Sequence, residues 1–102
     1  MTQKLEVCSL EQLKRERYRV VESAELRVAV YFHDQGVYAF EDRCTHNPSP
    51  LSGGAIEGDE IICIMHGARF NIKTGAVTMP PARCDLRTFP VSVVDGQVLL
   101  EL

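Results

Sequence analysis

Leu26-Arg27-Val28-Ala29-Val30-Tyr31-Phe32 is the stretch whose reading decides the architecture. Leu26, Val28, Val30 and Phe32 alternate with Arg27, Ala29 and Tyr31, a period of two that predicts a half-buried β-strand. His33-Asp34-Gln35-Gly36 reads as a turn, and Val37 to Phe40 as the returning strand. The same period continues outward. Ala55 to Ile64 forms a strand region with Glu57-Gly58-Asp59 as a turn inside it, and Lys73-Thr74-Gly75 joins Arg69–Ile72 to Ala76–Met79 as a hairpin. Val91–Val94 and Val98–Leu102 flank Asp95-Gly96, a preferred two-residue hairpin turn. One helical signal competes: Ser9-Leu10-Glu11-Gln12 fits a capping box followed by Leu13. Arg15 to Arg19 then leads into a strand over Tyr18 to Val21, so the helix is a turn or two long. The expected class is all-β, a small antiparallel protein without repeats or linkers.

A chain of 102 residues has room for one domain and one core. The hydrophobic fraction of 45% and charged fraction of 25% are those of an ordinary globular protein. A net charge of −3 with no basic stripe argues against nucleic acid as a partner, and Lys14 to Arg19 is interrupted by Glu16. Met1 to Arg17 has no apolar segment fit to be a signal peptide. No run approaches the ~18 apolar residues that cross a bilayer. These features lead us to expect a protein of the cytoplasm, off the membrane.

The chemistry concentrates in two short segments. Cys44-Thr45-His46 is followed by sixteen residues and then Cys63-Ile64-Met65-His66-Gly67. Each segment offers one thiolate and one imidazole. In an extended segment residues i and i+2 project to the same side, so Cys44 and His46 can face one centre. Cys63 and His66 are three apart and need a tight turn, for which Gly67 lets the backbone bend close behind the ligand. Two Cys and two His divided this way suit a mixed-ligand [2Fe–2S] centre, two Cys on one iron and two His on the other. A Cys2His2 zinc site is the bland rival, but it usually reads C-x2–4-C followed by H-x3–5-H, whereas here Cys and His interleave. His33, the third His, has no Cys at such spacing and reads as an ordinary group beside a turn. Cys8 and Cys84 likewise lack a paired His and read as structural or incidental thiols, with a disulfide between them left open.

The pattern resembles the cluster-binding motif of Rieske proteins. The resemblance runs on through Gly67, Arg69-Phe70 and Thr74-Gly75 to Phe89-Pro90-Val91, roughly the C-terminal two-thirds of the chain. It implies a Rieske-type fold of stacked sheets in which two loops form a cluster-binding subdomain. On this reading residues 1–102 are a single domain, with cluster loops at about 43–51 and 63–70 and a proline loop at about 79–83. Cys44, His46, Cys63 and His66 are then the cofactor and metal ligands, and no residue is catalytic.

The ligand mixture has an electrostatic consequence. Two ferric ions and two sulfides sum to about +2, so four thiolates leave about −2 while two thiolates and two neutral imidazoles leave about zero. Reducing a neutral centre is easier than reducing a dianion, so two His raise the potential. High-potential respiratory members add a Ser and a Tyr hydroxyl and a loop-to-loop disulfide. Here the matching positions hold Ala68 and Phe70, and Ser49 and Met65. Both losses imply a potential near the lower end of the roughly −150 to +300 mV Rieske range. Ile64 stands where Pro is frequent, which removes no ligand.

The resemblance further implies a soluble, monomeric electron carrier and not an enzyme. Its expected partners are a flavin-dependent NAD(P)H ferredoxin reductase and a terminal Rieske oxygenase, often of the aromatic-ring dioxygenase type. The alternatives are the small subunit of an assimilatory nitrite reductase, or a redox sensor. Some of Leu51, Pro48, Pro50 and Ile64-Met65, with the proline loop Met79-Pro80-Pro81-Ala82, are expected to form an exposed apolar patch for partner contact. Glu57, Asp59 and Glu60 read as a solvated turn, with steering of a basic partner as the sharper reading.

Overall fold

A computed structural model describes residues 4–23, 26–45, 49–64 and 67–102. Among the described residues, three antiparallel sheets and one short helix make up the fold. The first sheet joins β1 (Lys4–Ser9), β11 (Gln97–Glu101) and β10 (Val91–Val94) in the order β1-β11-β10. The second has the order β2-β3-β4-β9, from β2 (Tyr18–Ser23), β3 (Leu26–His33), β4 (Gly36–Glu41) and β9 (Thr88–Phe89). The third runs β5-β6-β7-β8, from β5 (Ile56–Glu57), β6 (Glu60–Ile62), β7 (Arg69–Asn71) and β8 (Val77–Met79). The helix α1 (Leu10–Glu16) follows β1 directly.

Each expected hairpin is present, and the turn chemistry explains the registers. Asp34 and Gln35 both take positive φ (48° and 65°) between the paired residues His33 and Gly36, and Asp95 and Gly96 do the same (50° and 75°) between Val94 and Gln97. Two consecutive positive φ values match the right-handed twist of the flanking strands. In the β7–β8 connection the Asn71 side-chain oxygen accepts from the amides of Lys73 and Thr74, replacing lost ladder bonds. The Ser9 hydroxyl caps α1 by accepting from Gln12 N at 3.1 Å. No return bond from the Ser9 amide to the Gln12 side chain is present among the described residues, and Gln12 Nε2 donates to Glu16, so only half of the capping box forms.

The expectation of a half-buried strand over residues 26–32 is corrected. Val28, Ala29, Val30 and Tyr31 are all at most 2% exposed. The reason is that this sheet is the middle layer, with a separate core on each face. Ala29, Tyr31 and Phe40 pack with Ile61 and Phe70 of the third sheet and with Ile72 just after β7, while Val28, Val30 and Ala39 pack with Leu13, Val98 and Leu100 beneath the first. The period of two sorts residues between two cores, not between core and water. β1 and β9 did not stand out as strands in the sequence. Each is held by tertiary pairing: β1 lies along β11, and β9 reaches only Ala39 and Phe40 of β4.

Among the described residues no helix is long and apolar enough to cross a membrane. Cys8 is buried in the core shared by α1 and the first sheet, Cys84 is exposed, and no disulfide joins them.

Candidate metal centre

Two loops leave the middle and third sheets from equivalent points. The first begins at Cys44, just after β4, and is closed by the Cys44 amide donating to the Ser49 carbonyl at 2.8 Å. The second begins at Cys63, just after β6, and is closed by the Cys63 amide donating to the Ala68 carbonyl, again at 2.8 Å. Each Cys thus heads a six-residue loop shut by the same bond. Both thiols belong to the same core cluster and each is 1% exposed. His46 and His66, the other expected ligands, lie outside the described residues, as do Pro48 and Met65. Among the described residues no group of three or more ligating side chains comes together.

A buried thiolate in apolar surroundings is costly unless a cation lies beside it. Two buried Cys at the heads of matched loops are therefore a donor set that fits a soft iron centre.

The first loop is set by a residue that the sequence reading passed over. Asp42 is 2% exposed, the one buried charged side chain among the described residues. Its Oδ1 accepts from the Leu51 and Ser52 amides, both at 2.7 Å, and its Oδ2 from the Ser52 hydroxyl at 2.6 Å and Arg27 Nε at 2.9 Å. One carboxylate two residues before Cys44 thus ties the outgoing end of the loop to its return. The Tyr31 hydroxyl, stacked between Tyr18 and Phe40, accepts from the Gly53 amide at 3.0 Å and continues the support. Burial drives the Tyr31 phenol up to about 12. Gly54 joins the two loops: a Cβ there would meet the Ile62 carbonyl oxygen at 2.7 Å.

Gly67 supplies the expected backbone bend, at φ 77°, and an added Cβ would meet nothing within 4 Å among the described residues, so it is the angle that calls for glycine. Leu51, expected beside an exposed patch, is instead 1% exposed in the core. Ile64 stands 76% exposed and Met79 45%, with Pro50 and Pro80 also exposed. Ala82 of the proline loop is buried, and the Thr45 hydroxyl donates to the Cys84 carbonyl at 2.7 Å, fastening that loop to the first. Ala68 and Phe70 are fully buried and carry no hydroxyl.

The carboxylates of the β5–β6 turn are not simply solvated. Glu57 and Glu60 flank Arg69 at 3.1 and 3.3 Å, and Asp59 meets His33 Nε2 at 2.9 Å and Lys73 Nζ at 3.7 Å. His33 is therefore a structural partner that spans the middle and third sheets.

The model of the Rieske [2Fe-2S] domain family matches residues 3–90. The chain belongs to that family. Among its Rieske relatives, the ferredoxin component of the naphthalene 1,2-dioxygenase system of Pseudomonas putida is 35% identical over 82 residues, covering 80% of this chain and 77% of that one. The 3-phenylpropionate/cinnamic acid dioxygenase ferredoxin subunit of Photorhabdus laumondii is 34% identical over 95 residues, covering 92% and 90%. A solved structure, from a complex of reduced oxygenase and oxidized ferredoxin in carbazole 1,9a-dioxygenase, superposes with a TM-score of 0.88 at 36% identity, covering 95% of this chain and 91% of that one.

Proposed function

We propose that residues 1–102 form a single Rieske domain that holds one [2Fe–2S] cluster, with Cys44 and Cys63 on one iron and His46 and His66 on the other. The observation that carries this reading is the pair of buried thiols, each heading a loop closed by the same backbone bond. The cluster, when bound, supplies reversible one-electron chemistry. The chain is accordingly a low-potential electron carrier and not an enzyme; its relatives are named as ferredoxin components of dioxygenase systems, which supports the carrier role. It takes its electron from a flavin-dependent NAD(P)H reductase and delivers it to a terminal oxygenase of the aromatic-ring dioxygenase type, as a cytoplasmic monomer.

The chain's own residues supply the rest. Asp42 and Tyr31 hold the first loop, and the absence of hydroxyls at Ala68 and Phe70 supports a low potential. Ile64 and Met79 offer apolar area beside the loops for a partner to cover.

The purified protein, reduced, should give a rhombic EPR signal of low average g. A colourless protein carrying zinc would overturn the assignment. Ile64→Glu should slow transfer to the oxygenase with the visible spectrum intact, and unchanged transfer kinetics would remove the docking role of Ile64.

A further inference from the structure

The charges around the two loops are unevenly neutralised. On the β5–β6 side every carboxylate has a cationic or imidazole partner: Glu57 and Glu60 with Arg69, Asp59 with His33 and Lys73. Beside Thr45, Arg43, Arg83 and Arg87 are all exposed and make no ion pair among the described residues. They line two adjoining grooves that share Thr45, the residue after Cys44. Leu86, Pro81 and Cys84 complete the walls, and Glu41 is the one carboxylate on the lining. The neighbouring Asp85 is turned to the backbone, its Oδ1 accepting from Val77 N at 2.9 Å. The Thr45–Cys84 bond fixes the floor between the grooves, and Arg87 is steadied 4.9 Å over the Phe89 ring.

We propose that this arginine furrow docks an acidic surface segment of the terminal oxygenase to which the chain delivers its electron. Planar guanidiniums without an ion-pair partner among the described residues can recognise carboxylates by paired hydrogen bonds. Their position beside Thr45 brings the partner's carboxylates to the first loop, where approach matters. The furrow is a local positive field on a chain of net charge −3, so orientation is set by a feature that opposes the overall charge. This inference rests on the loops holding the redox centre.

The test uses the sign of a salt effect. The reduced holoprotein is oxidised by one electron with cobalt(III)–EDTA, an anion, and with tris-phenanthroline cobalt(III), a cation. From net charge alone the anion is repelled, and its rate rises as salt screens that repulsion. With the furrow steering it, the anion's rate falls about threefold or more between low and high salt. Arg43→Glu with Arg83→Glu should reverse that slope and speed the cation. Lys4→Glu with Lys14→Glu, which makes the same change in net charge on the far layer, should leave the sign unaltered.

An anion rate that rises with salt in the native protein would overturn the furrow, as would the same slope in the arginine variant. A protein that never shows a reducible visible chromophore would instead overturn the proposed function and this inference with it. Spectra of each variant confirm an assembled centre before rates are compared.

Discussion

At the scale of single residues, Asp42 shows how a side chain outside the expected ligand set can decide the site. Its carboxylate serves two amides, a hydroxyl and a guanidinium from a fully enclosed position. Asp42→Ala leaves those donors unsatisfied, and we expect a loss of about 3–5 kcal/mol in unfolding free energy by urea titration. An intact stability would mean that water replaces the carboxylate. Tyr31 sets an alkaline limit. Its folded-state value of about 12 exceeds the ordinary 10.0, so its contribution is fully present below pH ~10 and is lost as pH rises through ~12. Tyr31→Phe should flatten the fall in stability between those pH values. Cys44 and Cys63 stand out in the sequence because Cys-His spacing is rare, and the structure buries both in one core. Asp42 does not, because one acid in Glu41-Asp42-Arg43 looks like any surface charge until its burial is known.

At the scale of elements, the hairpins could be read from sequence because their turns are local chemistry. The burial of β3 on both faces could not, because a period of two looks the same whether the second face meets water or another core. β1 and β9 escaped for a related reason: their pairing partners are distant in sequence. The polar contacts between sheets were equally hidden. Lys73, beyond β7, pairs with Asp34 of the β3–β4 turn at 2.6 Å, and Asp59 with His33 at 2.9 Å. The Lys73 hydrogen bond holds the Asp34 carboxyl below its usual value, Thr78 does so for Glu60, and Arg19 for Glu16. A lowered folded-state value stabilises the fold above the unfolded value, near ~4, and that stability is lost as pH falls through the lowered values. The thermal midpoint should therefore drop on acidification below pH ~4. Lys73→Ala should blunt the drop, and an identical acid profile would assign it to other carboxylates.

At the scale of the whole molecule, two cores share one sheet. The core beneath the first sheet contains neither Cys44 nor Cys63, while the other contains both. Removing the metal should therefore loosen the third sheet and leave the β1, β10 and β11 amides protected. Hydrogen exchange on chelated protein checks this, and uniform loss of protection would show the cores to be one cooperative unit. The sequence carried the family at this scale because the Cys-His spacing survives whatever the layers do. The charge asymmetry was not visible there: which arginines stay unpaired depends on which carboxylates the sheets bring to the others.

Lys4 and Glu101 are Cα partners at the edge of the first sheet, across the middle layer from both loops. An electrode, bead or fused reporter attached through either residue would therefore present the redox end outward, making this chain a naturally oriented wire for immobilised electron relays.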